Sequence, residues 1–109
     1  MLNCVVVMGR LTTDPELRHT QNGVPVTSFS IAIEQNYVVK GEERKADFIR
    51  IEAWRKNAEF VTKHFRKGSL IAIQGTLKGD SYEKNGVSVY TLMVEADQIS
   101  FCNPLNKEV

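Results

Sequence analysis

Several residue types that mark particular protein classes are scarce in this sequence. Of its 109 residues only two are cysteine, which is too few for the disulfide framework of a small secreted protein. Cys4 and Cys102 are therefore predicted to be free thiols. No apolar run approaches the length of a membrane span, and the first ten residues lack the charged-then-apolar order of a secretory signal. These absences indicate a cytoplasmic protein with no membrane partner.

The residue sets of common catalytic and metal sites are also missing. The sequence has no Ser/His/Asp or Cys/His set in a supporting context, no phosphate-cradling loop and no paired carboxylates on opposing elements. His19 and His64 have no cysteine or carboxylate companions at ligand spacing. The sequence therefore predicts a binding protein rather than an enzyme, with no catalytic residue, metal, cofactor or small-molecule substrate.

Charge of either sign is not in large excess. The formal net charge of +1 is unlike that of a histone-like polycation. Residues 40–84 nevertheless contain eleven Lys/Arg and seven Asp/Glu, whereas the remainder contains three Lys/Arg and six Asp/Glu. The basic part suits an anionic partner, although a mixed-charge solvated surface often shows the same asymmetry by chance.

Periodicity and turn residues predict five strands and one helix. The strands are expected at Leu2–Leu11, Val26–Gln35, 47–54, 70–82 and Val87–Val94, the last continuing towards Phe101. Ala58, Val61 and Phe65 recur at helical spacing between the third and fourth strands, and Gly68 is expected to end that helix. Asn85-Gly86 is a strong hairpin signal between the last two strands.

This element order is that of the OB-fold, an all-β, five-stranded Greek-key barrel with one helix between strands 3 and 4. Gly75 and Gly79 suit the bends that close a small barrel. We expect one domain over residues 1–102 and a short irregular C-terminal end over residues 103–109. Helix-capped barrels of other topologies share the same elements, so pattern alone leaves those topologies open. OB-folds bind oligonucleotides or oligosaccharides on the face of strands two and three.

The first strand is apolar on both of its faces over Val5–Met8. A strand of this kind is normally covered on two sides. One side is expected to face the barrel interior and the other a second copy of the chain. We therefore predict a homo-oligomer, a dimer that pairs into a tetramer.

The third predicted strand alternates between an apolar side and a mixed side. One side carries Ile49, Ile51 and Ala53, and the other carries Phe48, Arg50, Glu52 and Trp54. Exposing two large aromatics beside a guanidinium is unfavourable unless a ligand with flat and negatively charged groups covers them. Rings that stack on bases and cations that hold phosphates suit single-stranded nucleic acid. A core position is the alternative for Trp54.

Several short motifs, in order, resemble bacterial single-stranded DNA-binding proteins. They are Met8-Gly9-Arg10-Leu11, Asp14-Pro15-Glu16-Leu17-Arg18, Asn22-Gly23, the segment from Phe48 to Trp54, Ala58-Glu59-Phe60-Val61, Arg66-Lys67-Gly68 and Gly75-Thr76-Leu77. The resemblance runs from about Leu2 to Phe101. It implies an OB-fold, usually assembled as a homotetramer, that binds single strands with little sequence preference.

The resemblance also implies which residues bind. The family stacks bases on aromatics at positions that here hold Tyr37, Phe48, Trp54 and Tyr82. The basic positions that fit its groove are Arg50, Lys56, Arg66, Lys67 and Lys78, with Arg55 and Lys84 as further candidates. Tyr37 and Tyr82 could equally be amphipathic surface residues, and Arg66 and Lys67, expected in the last helical turn, could merely complement the helix dipole. The other aromatics, Phe29, Phe60, Phe65 and Phe101, are predicted to be core.

Three functional hypotheses follow. The first is sequence-independent binding and protection of single-stranded DNA in replication, recombination and repair, in a nucleoid-associated cytoplasmic protein. The second is a specialised paralogue, such as a primosome accessory or mobile-element protein, which the absence after Val109 of the family's Gly/Pro/Gln-rich tail with its acidic tip favours. The third is an OB-fold module that binds RNA or protein. No residue addresses the 2′-hydroxyl, so DNA and RNA are not separated by sequence.

Overall fold

Alternating apolar residues build most of the structure as strands. The computed structural model describes residues 1–36, 39–43 and 45–102. Its elements are β1 (Val5–Leu11), β2 (Arg18–His19), β3 (Pro25–Glu34), β4 (Ala46–Trp54), α1 (Lys56–His64), β5 (Leu70–Lys84) and β6 (Val87–Phe101). No helix among the described residues is long and apolar enough to cross a membrane.

The five predicted strands are confirmed, with one addition. The two-residue strand β2, which pairs with β3 through Arg18 and Val26, lies in a segment predicted to be a loop. The first strand begins at Val5 rather than Leu2. Just before it, the Asn3 side chain takes over the pairing with β5: its Nδ2 donates to the Leu77 carbonyl at 3.0 Å, and its Oδ1 accepts from the Leu77 amide at 2.9 Å.

The strands close into a barrel. Their order is β1-β5-β6-β4-β3-β2. Of the five long strands in this order, β1 is the first and β3 the last, and these two also pair with each other. All the neighbours are antiparallel except β4 and β6, which run parallel at Ile51–Val94 and Glu52–Glu95. The closed sheet with a helix between β4 and β5 confirms the predicted OB-fold.

Helix α1 ends earlier than predicted. It stops at His64, because Phe65 takes an extended conformation (φ −122°, ψ 148°) that accompanies complete burial of its ring. Arg66 and Lys67 therefore follow the helix and do not form its last turn. Gly68, with φ of +87°, lies in the turn that leads into β5.

The barrel core is formed by the inward sides of the strands and by one side of α1. Its fully buried residues include Ile31, Ile51, Val61, Ile71 and Ile73. The other buried apolar residues of the core are Leu11, Phe29, Ala53, Ala58, Phe65, Val94 and Ala96.

The predicted core position of Phe101 is wrong, because its side chain is 58% exposed. Phe101 ends β6 at the edge of the barrel, where its ring stacks on Phe65 at a centroid distance of 5.1 Å and an interplanar angle of 17°. Phe60 and His64 contact the same ring at 5.3 and 5.6 Å. Phe29 and Phe65 are buried as predicted, and Phe60 packs against the core while half-buried.

Strands β5 and β6 extend beyond the barrel as a hairpin. Towards the hairpin tip, β1 stops pairing with β5 at Gly75 and β4 stops pairing with β6 at Val94. Beyond these residues β5 and β6 pair only with each other, as far as Lys84 and Val87. A register shift at Gln74/Gly75 starts this departure, and a β-carbon on Gly75 would collide with the Glu95 carbonyl. Tyr90 lies over Gly79, filling the space that this residue leaves empty.

The predicted turn at Asn85-Gly86 is confirmed. The φ angles of these two residues are +54° and +79°, as a two-residue type I′ hairpin requires. The turn places Lys84 and Val87 opposite each other at the hairpin tip.

Candidate nucleic-acid interface

Strand β4 has the two different sides that its sequence predicts. Ile51 and Ala53 are completely buried, whereas the Phe48 side chain is 69% exposed. Arg50 is exposed and Trp54 is half-buried. The aromatic and basic side chains of this strand therefore point away from the core.

The neighbouring strand β3 leaves room for them. On the outward side its residues opposite Phe48, Arg50, Glu52 and Trp54 are, in order, Ala32, Ser30, Ser28 and Val26. Small side chains next to large ones let the rings of β4 stand above the sheet. This role of β3 was not predicted from the sequence, although its Ser28–Ser30 alternation carries the signal.

The pairing of β4 with β6, and of β6 with β5, extends this side into one surface. Glu52 on β4 lies opposite Glu95 on β6. On the hairpin, the pairs on the same side are Glu95 with Thr76, Met93 with Lys78, Thr91 with Asp80, Val89 with Tyr82, and Val87 with Lys84. Six predicted site residues thus share one side of the sheet, which we call the outer face: Phe48, Arg50, Trp54, Lys78, Tyr82 and Lys84.

Trp54 is held in place by its own strand. Its indole Nε1–H donates a hydrogen bond of 2.8 Å to Oε1 of Glu52, two residues earlier on the same side. A carboxylate acceptor makes this a charge-assisted bond. The ring is therefore both half-buried and oriented by an ionisable partner.

A strip of carboxylates crosses the outer face beside Trp54. It consists of Glu52, Glu95 and Asp97, and we call it the acidic strip. Lys78 Nζ lies 3.0 Å from Glu95 Oε1, and Thr76 Oγ1 donates to Asp97 at 2.9 Å. The hydrogen bond and charge of Glu95, reinforced by Glu52 and Asp97, raise the pKa of the Lys78 ammonium.

The acidic strip was not predicted from the sequence. Glu52 was assigned to the outward side of β4, but its neighbours on β6 depend on a parallel pairing between strands distant in sequence. The consequence falls on Lys78, which was predicted to contact phosphate. Its ammonium is already paired with the Glu95 carboxylate, which competes with a phosphate for the same charge.

Arg55 and Lys56 join the outer face to the helix. Lys56 is the first residue of α1 and is exposed. Arg55 has φ of 58° and ψ of −124°, a conformation rarely adopted by residues with a side chain. Its amide donates to the Pro25 carbonyl at 2.8 Å, and its carbonyl accepts from the Glu59 amide at 3.1 Å. These bonds hold the unusual backbone while the side chain remains exposed.

Arg66 and Lys67 lie in a different place. Arg66 Nη1 donates to the carbonyls of Thr62 and Phe65 at 2.9 and 2.8 Å, so its guanidinium caps the end of α1. The Lys67 amide donates to Oδ1 of Asp14 at 2.7 Å, near the end of β1. The described contacts thus give Arg66 a structural role and associate Lys67 with the β1 end of the barrel rather than with β4.

Tyr37, predicted to stack on a base, lies outside the described residues. Within 1–36, 39–43 and 45–102, no group of three or more His, Cys, Asp or Glu side chains is arranged to hold a metal ion.

The sequence is similar to proteins of one family. A sequence model described as the Single-strand binding protein family matches residues 2–102. Single-stranded DNA-binding protein 1 of Staphylococcus aureus (strain MSSA476) is 47% identical over 99% of this chain and 70% of its own length. Single-stranded DNA-binding protein A of Bacillus subtilis (strain 168) is 43% identical over 97% of this chain and 62% of its own length. With an aromatic and basic outer face on an OB-fold barrel, this chain belongs to the single-strand binding protein family.

Proposed function

We propose that this protein binds single-stranded DNA without sequence preference and protects it during replication, recombination and repair. The observation that carries the proposal is the outward side of β4, where the exposed ring of Phe48 and the guanidinium of Arg50 stand above small residues of β3. Membership of the single-strand binding protein family supports it.

The chemistry of the outer face suits any single strand. Every nucleotide offers a π-face and a phosphate, and neither depends on sequence. A base stacked on an aromatic side chain contributes roughly 1–3 kcal/mol, and each phosphate contact releases counterions. Phe48 and Trp54 supply the two rings on β4, and Arg50 supplies a cation between them. Tyr82 and Lys84 continue the same surface along the hairpin.

The assembly of the protein belongs to this proposal. Val6 and Met8 on β1 have side chains that are 74% and 55% exposed, so one apolar side of this strand is uncovered in the single chain. A second copy packed there would remove that surface from water. We propose a homo-oligomer built through β1, a tetramer with a dimer as the alternative, in a nucleoid-associated location that follows from DNA binding.

One titration tests the function directly. Trp54 is the single tryptophan, so fluorescence excited selectively in tryptophan reports on the outer face. We expect oligo(dT) to quench this fluorescence, with an affinity that falls as salt rises, and duplex DNA of equal length to bind far more weakly. Quenching by duplex but not by oligo(dT) would overturn the proposal. Tighter binding of oligo(U) than of oligo(dT) would replace DNA by RNA as the ligand.

A further inference from the structure

We propose that Glu52 is a positioning residue, which fixes the Trp54 ring in the orientation that receives a base and places a negative charge beside the bound strand. The inference rests on the proposed function and adds to it a residue that does not itself contact a base. It assigns to Glu52 two opposite effects on affinity, one through the ring and one through charge.

The geometry of the pair supports the first effect. Glu52 and Trp54 project from the same side of β4, and the Nε1–Oε1 distance is 2.8 Å. Both side chains are half-buried. A ring that is already oriented loses less rotational freedom when a base stacks on it, and immobilising a free side chain costs affinity. The hydrogen bond therefore orients the Trp54 ring in part before any base stacks on it.

The surroundings of Glu52 show why the indole is its natural partner. Directly opposite, β6 presents Glu95, a second carboxylate, and like charges in that position repel. Lys78, a cation on the same face, makes its ion pair with Glu95 at 3.0 Å. On β3 the residue opposite Glu52 is Ser28. The Trp54 N–H is thus the donor that the Glu52 carboxylate engages.

The second effect follows from charge. Glu52 lies on the outer face between Arg50 and Trp54, where phosphates are proposed to pass. A carboxylate there opposes phosphate binding, and this opposition weakens as salt screens it. An uncharged side chain with the same acceptor would keep the ring oriented and remove the repulsion. Glutamine is that side chain, and alanine removes acceptor and charge together.

The first experiment uses free protein. The steady-state fluorescence anisotropy of Trp54 should be the same in the parent and in Glu52→Gln, because the amide oxygen still accepts the indole N–H. In Glu52→Ala the anisotropy should fall, because the ring gains local motion. Equal anisotropy in the two variants would overturn the proposal. This measurement does not depend on DNA.

The second experiment measures the affinity for oligo(dT) at low and high salt. Glu52→Gln should bind about two- to threefold more tightly than the parent at low salt, with the gain lost at high salt. Glu52→Ala should bind about three- to tenfold more weakly than Glu52→Gln at both salt concentrations. This comparison isolates orientation, since both variants have lost the same charge.

A third comparison separates positioning from a general structural effect. In a Trp54→Phe background the ring can stack but has no N–H to donate. There the Gln and Ala substitutions at Glu52 should give equal affinities. A persistent three- to tenfold difference in that background would overturn the positioning role. Failure of the parent to bind oligo(dT) would instead overturn the proposed function. An oriented Trp54 ring would then have no base to receive.

Discussion

The two halves of the outward side of β4 differ in how their side chains are held. The first half contains Phe48 and Arg50, and we call it the open half; here Phe48 is 69% exposed. Arg50 has no ion-pair or hydrogen-bond partner within the described part of the chain. In the second half, which contains Glu52 and Trp54 and which we call the held half, the ring is half-buried and hydrogen-bonded.

The difference indicates two ways of preparing a stacking surface. The open half offers a large exposed ring and a cation without a partner among the described residues, so none of their contacts has to be displaced when a strand binds. The held half offers an oriented ring beside carboxylates, so its order is established in advance but its charge opposes phosphate. We expect the open half to respond mainly in affinity and the held half in both affinity and stability.

The largest combined effect is expected for Trp54→Ala. The affinity for oligo(dT) should fall by about 1–3 kcal/mol through the lost stacking. The free energy of unfolding should also fall by roughly 1–2 kcal/mol, because a half-buried ring is removed and the Glu52 carboxylate loses its donor. Fluorescence anisotropy of a labelled oligonucleotide and thermal unfolding measure the two quantities. If Trp54→Ala left the free energy of unfolding unchanged, the held half would not differ from the open half in its contribution to stability.

Phe48→Ala should reproduce the loss of affinity without the loss of stability. Removing an exposed ring should cost about 1–3 kcal/mol of binding free energy. The free energy of unfolding should stay within about 0.5 kcal/mol of the parent, as for other surface substitutions. Ile51→Ala is the matched control on the opposite side of the strand, where it should destabilise the fold by about 2–5 kcal/mol. A variant at Phe48 that unfolds readily would place this ring in the core.

Arg50→Ala should change the salt dependence of binding. If Arg50 neutralises one phosphate, the slope of log K against log salt should become shallower by about 0.7, the value expected for a single strand. Thermal stability should be unaffected, because the guanidinium is exposed and unpartnered within the described residues. An unchanged slope would show that the cation of the open half contacts no phosphate.

A smaller effect is expected from Glu95→Gln. Neutralising this carboxylate releases Lys78 from its ion pair and should tighten oligo(dT) binding about two- to threefold at low salt. Glu83 is exposed on the other side of the hairpin, opposite Ser88, and Glu83→Gln is the matched control. Equal gains from the two substitutions would mean that net charge acts alone and that Lys78 takes no part.

The smallest effect concerns alkaline pH. The pKa of Lys78 is raised in the folded protein, chiefly by Glu95, so folding favours its charged form. The corresponding stability is complete below the ordinary lysine pKa and is lost as pH rises through the raised value. Thermal melts of the parent should therefore show a slightly steeper alkaline decline than those of Glu95→Gln. The two declines would be parallel if the ion pair contributed nothing.

The sequence predicted features that depend on neighbouring residues. Alternation along β4 assigned Phe48 and Arg50 to one side and Ile51 to the other, because the side-chain period of a strand is fixed by its backbone. Asn85-Gly86 specified its turn, since both residues tolerate positive φ. The resemblance to a known family supplied the positions of the hairpin residues.

Features that depend on distant pairing could not be predicted in this way. The placement of Glu52 opposite Glu95 requires the parallel register of β4 and β6, and their 43-residue separation hides it from local patterns. The exposure of Phe101 reflects its place at the barrel edge, where β6 ends. The early end of α1 follows from burial of Phe65, which favours an extended backbone over one more helical turn.

The hairpin beyond Gly79 has a consequence for hydrogen exchange. Its backbone amides bond only across β5 and β6, and most of its side chains are exposed, so opening it exposes little apolar surface. Segments of this kind exchange their amide protons through local opening rather than global unfolding. We expect the amides around Tyr82 to exchange much faster than those of Ile71 and Ile73 on the same strand. A bound single strand should slow the first group and leave the second unchanged.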